Sequence, residues 1–241
     1  MFLSAVARPR FIDDTGAWWD VKIGTWPFVE IFEAKCDSVN RLAGTPETKP
    51  ITVAREVYRS FLLDKVLPAI VEKWAKQHAK IILQHDNVKP HMRSSDPALR
   101  ESFRQYLVLG WCFDLRPQPP NSTDFNVLDL GFFAAIQSLQ HRQSARSIDE
   151  LVVNVINAFE TYPFEKLNNA FITLLWCMIE AIKCNGDNTY KIPHMSKEKL
   201  SRLGMLPKKV PCDEELFRVV LTCLDAHDQE EMTKILQAEV E

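Results

Sequence analysis

Short extended segments dominate the beginning of the chain. Residues 1–7 and 21–33 combine β-branched and aromatic side chains, which predicts strands, and a turn is predicted between them at residues 14–16. Residues 36–50 read CDSVNRLAGTPETKP, and their glycine, prolines and polar side chains predict an irregular loop. The pattern therefore predicts a small meander of strands that leads, through a polar loop, into the helical part of the chain.

The first amphipathic helix is predicted over residues 52–74. Apolar side chains from Val57 to Val66 recur at the i, i+4, i+5, i+9 spacing that places them along one face of a helix. Pro68 has no backbone N–H group to donate within this segment, so we expect a kink there. The prediction is therefore one long helix with a local distortion.

A strand that ends in polar side chains follows this helix. Residues 80–85 are mostly apolar and predict a buried strand, and the polar stretch DNVKPH comes directly after it. The next helix is predicted to begin at Ser95 or Asp96, which are both good N-caps, and to end at Gly110. Residues 112–118 then predict a second single strand.

Helices are predicted for most of the remaining chain. Asn126 is a good cap for a helix over 126–143, and helical patterns also cover 147–160, 164–184 and 213–240. A meander of strands, followed by helices that alternate with single strands, is typical of layered α/β or α+β domains. The predicted fold class is therefore α/β.

Composition agrees with a folded domain and indicates its compartment. Hydrophobic residues make up 46% and charged residues 25% of the 241 residues, which is enough apolar material for a sizeable core. The six cysteines form no C-x-x-C pair and have no histidine at zinc-ligand spacing, so a reducing compartment, nuclear or cytoplasmic, is expected. The start, MFLSAVARPR, is unlike a signal peptide, and no apolar run approaches the ~20 residues of a membrane span. We therefore expect no membrane partner.

Charge is distributed unevenly along the chain. Residues 213–241 contain nine acids and two bases, a net charge of −7, whereas residues 1–212 carry +4 within the total of −3. A mildly basic body with an acidic end is compatible with a polyanionic partner such as DNA, although many proteins without such a partner share this pattern.

Two aspartates occupy positions from which they can meet. Asp86 follows the predicted strand, and Asp129 lies in the first turn of the helix that begins at Asn126. Sites in α/β sheets usually form at the carboxyl ends of strands, and a helix packed beside the strand would bring the two carboxylates together. Paired carboxylates there would hold Mg²⁺ or Mn²⁺. Simpler interpretations stay open, since Asp-Asn often forms a turn and an aspartate at a helix start often serves the helix dipole.

Two motifs favour the metal-site interpretation. QHDNVKPH, at residues 84–91, resembles the Q-x-D-N-A-x-x-H segment of mariner-type DDE/DDD transposases. PPNSTDFNVLDLGFF, at residues 119–133, resembles the P-P-N-S-P-D-L-N-x-x-D-L-G-F-F segment of the same family. The two motifs occur in the family's order, with a predicted helix and strand between them. The resemblance covers most of residues 1–207.

The resemblance implies an RNase H-like domain, a mixed sheet flanked by helices, which cuts and joins DNA with Mg²⁺ or Mn²⁺ ions held by three acids. Asp86 matches the second acid and Asp129 matches the third, so these two are the implied catalytic and metal-binding residues. Asn87 and His91 match supporting positions that shape the site. Asp124 is implied to cap and orient its own turn.

The family's first acid has no counterpart in this sequence. It lies on a central strand upstream of the segment that residues 1–7 resemble, and Asp13, Asp14 and Asp20 do not match its position. The expected sheet therefore lacks its first central strand. Strands 1–7 and 80–85 are then expected to pair directly, to leave a gap that another chain fills, or to give a poorly stable fold.

These expectations describe an incomplete RNase H-like catalytic domain over residues 1–207 and an acidic, helical C-terminal tail over residues 208–241. The implied function is that of a remnant of a transposase catalytic domain for metal-dependent DNA cleavage and strand transfer, inactive alone. The alternative is a non-catalytic module that binds nucleic acid or assists transposase assembly. DNA is the expected partner, and the expected assemblies are a homodimer or a complex with full-length transposase.

Overall fold

The computed structural model describes residues 1–12, 16–20, 22–37, 39, 41–74, 80–207, 210–223 and 225. The chain divides into two compact units, Met1–Phe171 and Ile172–Glu241, and each is described here by itself. The described residues form helices and small sheets, so the fold is mixed α/β, as the sequence predicted.

Short strands occupy much of the first 120 residues. They are β1 (Phe2–Val6), β2 (Arg10–Ile12), β3 (Ala17–Trp19), β4 (Lys22–Pro27), β5 (Val29–Glu33), β6 (Pro46–Pro50), β7 (Lys80–His85) and β8 (Cys112–Pro117). The predicted strands over 1–7, 21–33, 80–85 and 112–118 are all confirmed, whereas β2, β3 and β6 were not predicted. The predicted turn at 14–16 falls mostly outside the described residues.

The strands associate in pairs within the described part of the chain. The pairs β1–β4, β2–β3 and β5–β6 are antiparallel, whereas β7 and β8 run parallel with Ile81 opposite Phe113 and His85 opposite Pro117. The result is four two-stranded sheets, which differs from the single mixed sheet that was expected. β1 and β7 also do not pair directly with each other. Among the described residues β1 pairs with β4 and β7 pairs with β8, so each strand keeps one edge without a backbone partner.

Helices make up most of the remaining structure. They are α1 (Arg55–Phe61), α2 (Leu67–Lys73), α3 (Pro97–Val108), α4 (Phe133–His141), α5 (Ile148–Thr161), α6 (Phe164–Lys183) and α7 (Lys197–Arg202). The helices predicted before residue 184 are confirmed in position. The sequence did not predict α7, because its six residues are too few to show a helical period.

Residues 46–50 correct the prediction of an irregular loop over 36–50. They form β6, which pairs antiparallel with β5 from Val29 opposite Pro50 to Glu33 opposite Pro46. The loop between these strands is closed by hydrogen bonds from Ala34 N–H to the Thr45 carbonyl oxygen at 2.9 Å, and the two prolines stand at the ends of β6. Proline is tolerated at the ends of edge strands, so its presence did not exclude a strand here.

The predicted helix over 52–74 is divided by a π-helical segment, Leu62–Val66. The Leu67 N–H group donates to the Leu62 carbonyl oxygen, five residues earlier. Pro68, in the first turn of α2, has no N–H to donate to the carbonyl four residues before it, and a wider turn at this point accommodates that missing bond. The expected kink at Pro68 is therefore a π-bulge.

The main core of the first unit lies on one face of the β7–β8 pair. Ile81 and Leu115 project from the strands into a cluster that contains Leu67 of α2 and Leu99 of α3, both fully buried. On the other face of β7, Ile82 is 49% exposed. The expectation of a buried strand over 80–85 is therefore wrong for half of its side chains, because helices cover only one face of this small sheet.

Lys22 fastens β4 to the C-terminal end of α5. Its buried ammonium group donates hydrogen bonds to the carbonyl oxygens of Glu160 and Tyr162 and lies 3.1 Å from the Asp20 carboxylate. The last carbonyl groups of a helix have no partners within the helix, so a cation at this place satisfies them and interacts favourably with the helix dipole. This contact holds the strand beside the second core cluster of the unit, which forms around α4 and α5.

The second unit contains the end of α6, α7 and helical residues 214–223. The prediction of helix over 213–240 is confirmed for that part, and residues 224 and 226–241 lie outside the described residues. All six cysteines are free thiols. Among the helices of the described residues, none is long and apolar enough to cross a membrane.

Candidate functional site

The Asp86 carboxylate is held in place directly after the carboxyl end of β7. Its Oδ1 accepts a hydrogen bond from Val88 N–H at 3.2 Å and lies 2.7 Å from Nδ1 of His91. The same Nδ1 lies 3.0 Å from the backbone carbonyl oxygen of Asp86. Both oxygens are acceptors, so Nδ1 of His91 carries the proton and donates. His91 thus holds the orientation of the Asp86 carboxylate.

An aromatic stack lies behind Asp86. The rings of Tyr58 and His91 stack with centroids 4.1 Å apart, and the His91 and His85 rings are nearly parallel at 5.0 Å. The Tyr58 hydroxyl is 3.3 Å from Nδ1 of His85. Burial and, to a smaller extent, the neighbouring His91 lower the pKa of His85, Asp86 opposes them, and the resulting pKa is about 4. Burial, reinforced by Asp86, raises the pKa of Tyr58, so Tyr58 and His85 are both neutral at physiological pH.

Gln118, the residue after β8, joins the loop that carries Asp86 to the turn that precedes Asp129. Its backbone N–H donates to the His85 carbonyl oxygen at 2.7 Å, and its carbonyl oxygen accepts a hydrogen bond from the Asn87 side-chain amide. Its own side chain donates to the Ser122 carbonyl oxygen. Gln118 is only 6% exposed, and its Oε1 is buried without a hydrogen-bond partner among the described residues. Asn87, for which the resemblance implies a supporting role, is thus connected through Gln118 to the turn before Asp129.

A second set of contacts places Asp129. The Gln84 side chain on β7 donates to the Phe125 carbonyl oxygen at 2.6 Å, which ties the strand to the short 3-10 turn Thr123–Phe125. Asn126 then accepts from Leu128 N–H at 3.1 Å and donates to Asp129 Oδ2 at 2.9 Å. These bonds fix the start of a π-helical segment, Leu128–Phe132, that leads into α4.

Asp124 does not act as the cap that the resemblance implied. Its side chain makes no hydrogen bond to any described residue, and Ser122 also forms no side-chain cap. Asn126 supplies that contact instead, because its amide can accept from one backbone N–H group and donate to a carboxylate at the same time.

Asp86 and Asp129 are close enough to influence each other electrostatically. Burial raises the pKa of Asp129, the Asn126 amide opposes this shift, and the charge of Asp86 raises the pKa further. Such an effect between carboxylates falls off steeply with distance in solvent-accessible sites. Hydrogen bonds from Asn87 to Gln118 and from Gln84 to Phe125 connect the segments that carry these two acids, although 42 residues separate the acids along the chain.

The oxygen atoms of this pair suit a hard divalent cation. Within the described part of the chain, Oδ2 of Asp86 and Oδ1 of Asp129 accept no hydrogen bond, whereas the other oxygen of each carboxylate is engaged. One free carboxylate oxygen from each acid is the type of donor that Mg²⁺ and Mn²⁺ prefer. Across the described residues, no group of three or more His, Cys, Asp or Glu side chains forms a metal cluster.

The early acids do not join the pair in the described structure. Asp20 is engaged with Lys22 through both the backbone N–H group and the ammonium group. Asp13 and Asp14 lie outside the described residues.

An open cleft of about 670 Å³ lies beside Asp86. Its walls come from the start of α1, from the loop between β7 and α3, and from the end of β8. Three cations line it: Arg55, Lys89 and Arg93.

Sequence reasoning missed three residues that build this site. Gln84 is the first residue of the motif QHDNVKPH, so the motif itself carried a signal for it. Gln118 had a weaker signal, as a polar residue between a strand and a Pro-Pro turn. Tyr58 had none, because its contact with His91 joins two elements that are distant in the sequence.

No protein-family model matches the chain, and no curated protein matches it.

Proposed function

We propose that this chain is an RNase H-like domain of the mariner transposase type, in which Asp86 and Asp129 together hold Mg²⁺ or Mn²⁺ close to a DNA strand. Support comes from the two sequence motifs and from the coexistence of an antiparallel pair, β1–β4, with a parallel pair, β7–β8. The observation that carries the proposal is the pair of side-chain hydrogen bonds that connect the segments bearing the two acids, from Asn87 to the Gln118 carbonyl oxygen and from Gln84 to the Phe125 carbonyl oxygen.

The protein's own residues would each contribute to such a site. Asp86 and Asp129 offer their free oxygens as ligands, while His91 and Asn126 hold the opposite oxygens and so fix the orientation of each carboxylate. A divalent cation bound there supplies Lewis-acid stabilisation for phosphoryl transfer. Asn87 and Gln118 keep the two supporting loops together.

The proposal includes low activity of the chain by itself. Catalysis by three acids needs a third carboxylate, and none joins Asp86 and Asp129 among the described residues. We therefore expect metal binding and DNA binding without efficient DNA cleavage or joining.

Manganese binding tests the acid pair directly. Free Mn²⁺ is measured by electron paramagnetic resonance during titration with the wild-type chain and with Asp86→Asn, Asp129→Asn and Asp124→Asn. We expect each of the first two changes to weaken binding at least tenfold, while Asp124→Asn, an acid of the same motif without a described partner, binds like the wild type. Equal affinity for all four proteins would overturn the proposed site.

A plasmid assay tests the activity. Supercoiled plasmid incubated with the wild-type chain and Mn²⁺ is expected to remain intact. Efficient nicking that Asp86→Asn abolishes would overturn the claim of low activity, while leaving the acid pair in place as the metal site.

A non-catalytic nucleic-acid-binding module is the second candidate function. The observation that favours it is the set of three cations in the cleft beside Asp86. This candidate predicts DNA binding that survives both Asp86→Asn and Asp129→Asn, together with no Mn²⁺ binding at the acid pair.

A further inference from the structure

The strand β5 uses only one of its two edges for pairing. Antiparallel strands exchange hydrogen bonds through every second residue, and the residues between them direct their N–H and C=O groups to the opposite edge. Phe28 and Ala34, at the two ends of β5, both bond on the side of β6, since the Phe28 carbonyl oxygen accepts at 3.0 Å and Ala34 N–H donates at 2.9 Å. The bonded positions are therefore even-numbered. The backbone groups of the odd-numbered residues point away from β6: Val29, Ile31 and Glu33.

The prolines of β6 agree with this assignment. Pro50 lies opposite Val29 and Pro46 lies opposite Glu33, so both prolines occupy pairs that exchange no hydrogen bonds. A proline has no N–H group to donate, and these are the positions where none is needed.

The open edge of β5 is exposed and apolar at its centre. β5 pairs with β6 and with no other strand of the described residues. Ile31 is 75% exposed, more than any other large apolar side chain in the described strands, and Phe32, on the other face, is 44% exposed. A two-stranded hairpin without cover is marginally stable, and an unpaired apolar edge is a template for a further strand.

We propose that this edge is a dimer interface, in which β5 pairs antiparallel with β5 of a second copy about a two-fold axis at Ile31. A two-fold interface brings the same surface from both copies together, so the strand must be complementary to itself. The inference concerns a surface outside the acid pair and does not depend on the proposed function.

The charges of β5 select this register. With the axis at Ile31, Glu30 lies opposite Phe32 of the second copy and Glu33 lies opposite Val29, so no two carboxylates face each other directly. An axis at Glu30 would oppose that carboxylate to its own copy, and like charges directly opposite are destabilising.

The backbone groups select the same register. With the axis at Ile31, all three odd-numbered residues of β5 form bonded pairs, which gives about six hydrogen bonds because each pair exchanges two. An axis at Phe32 leaves only two such pairs within β5. Pro27, the next odd-numbered residue towards the N-terminus, has no N–H to offer and ends the pairing there. The interface is therefore small, and a weak, reversible dimer is expected, with a dissociation constant on the order of 10–100 µM.

Sedimentation velocity over a range of protein concentrations tests the interface. The samples are the wild-type chain, Ile31→Lys, Ile31→Glu and an equimolar mixture of the two variants. Each variant alone is expected to dimerise at least tenfold more weakly than the wild type, because like charges then lie opposite each other at the axis. The mixture is expected to associate again, since lysine then faces glutamate.

The matched control is Ile82→Lys, which places the same charge at an exposed apolar position of another strand with an open edge. It should dimerise like the wild type. A wild-type chain that stays monomeric at several hundred micromolar would overturn the proposal. So would a mixture that fails to associate, or a dimer that Ile82→Lys disrupts and the two Ile31 variants leave intact.

Amide hydrogen exchange of the wild-type chain tests the backbone pairing without any substitution. The Ile31 N–H group should exchange slowly in concentrated solution, where the dimer dominates, and rapidly after dilution. The Phe32 N–H group, which faces β6, should be protected to the same degree at both concentrations. Rapid exchange at Ile31 in a sample that sediments as a dimer would overturn strand pairing at this edge.

Discussion

The Asn87 side-chain amide donates a hydrogen bond to the Gln118 carbonyl oxygen, and this bond connects the loops that carry the two acids of the candidate site. Asn87 follows Asp86 directly, and Gln118 precedes the Pro-Pro-Asn-Ser turn that leads to Asp129. The spacing of the two carboxylates therefore depends on a contact made by neither of them. This arrangement makes the supporting residues testable apart from the acids.

Replacement of Gln118 by methionine is expected to weaken the site while keeping the side-chain volume. The change removes the donor to the Ser122 carbonyl oxygen, and loss of such a buried hydrogen bond costs about 1–2 kcal/mol of the free energy of unfolding. Mn²⁺ affinity should fall as well, because the turn before Asp129 loses its tether. Urea unfolding and Mn²⁺ titration measure the two effects, and the exposed Gln137→Met variant serves as the control. A Gln118→Met protein with wild-type values in both would contradict the tether.

Two substitutions at Tyr58 separate its hydroxyl from its ring. Tyr58→Phe keeps the stack on His91 and loses the contact with His85, so the free energy of unfolding should fall by about 1 kcal/mol. Tyr58→Leu also loses the ring–ring contacts, which contribute roughly a further 0.5–1.5 kcal/mol. Only Tyr58→Leu is expected to lower Mn²⁺ affinity, because the ring supports the histidine that orients Asp86. Equal Mn²⁺ affinity for the leucine and phenylalanine variants would show that the stack does not position His91.

Lys22→Met is expected to destabilise the first unit by about 1–3 kcal/mol. The substitution leaves the carbonyl oxygens of Glu160 and Tyr162 without their buried donor, and such unsatisfied groups carry this penalty. The comparison variant is Lys49→Met, which removes an exposed ion pair with Glu47 and should change stability little. Midpoints of urea unfolding for the two variants should differ clearly, and similar midpoints would contradict the role of Lys22 at the end of α5.

The low pKa of His85 predicts a defined loss of stability in acid. The pKa of His85 is about 4 in the folded chain, against an ordinary value of 6.5, so the unfolded chain binds the extra proton between these values. Its contribution to stability is complete above pH 6.5 and is lost progressively as the pH falls towards 4.

The control for this prediction uses a second histidine. Urea unfolding in EDTA at several pH values should show a shallower dependence between pH 6.5 and 4 for His85→Leu than for the wild type. His141→Leu, at an exposed position of α4, should keep the wild-type dependence. An unchanged slope in His85→Leu would mean that other groups cause the acid sensitivity of the fold.

Local signals in the sequence were sufficient for the elements that frame the site. The apolar run of β7, the Asp96 cap of α3 and the Asn126 contact at the next helix all depend on residues within a few positions of each other. For the same reason the sequence could single out Asp86 and Asp129 as candidates, since each lies at the end or the start of an element.

Contacts between segments that are distant along the chain could not be predicted from such local signals. β6 was missed because strand pairing with β5 overrides the turn propensity of its prolines, and the exposure of Ile82 depends on how many strands and helices cover β7. Likewise, the stack of Tyr58 on His91 and the tether through Gln118 connect segments whose separation in the chain hides their contact. The two acids are candidates from the sequence, whereas the side chains that contact them are visible only in the structure.

The π-bulge at Leu62–Val66 sets the angle, about the helix axis, between the side chains of α1 and those of α2. An α-helix turns about 100° for each residue, so one extra residue in a turn rotates everything beyond it by about that angle. Tyr58 before this segment and Leu67 and Ile70 after it all belong to the main core cluster, and Arg59, next to Tyr58, forms its ion pair with Asp96. Deletion of one residue within 62–66 would restore an unbroken α-helical phase and turn Arg55 away from the cleft while α2 stayed in the core. The length of this five-residue segment therefore controls the direction of a cation about two helical turns before it.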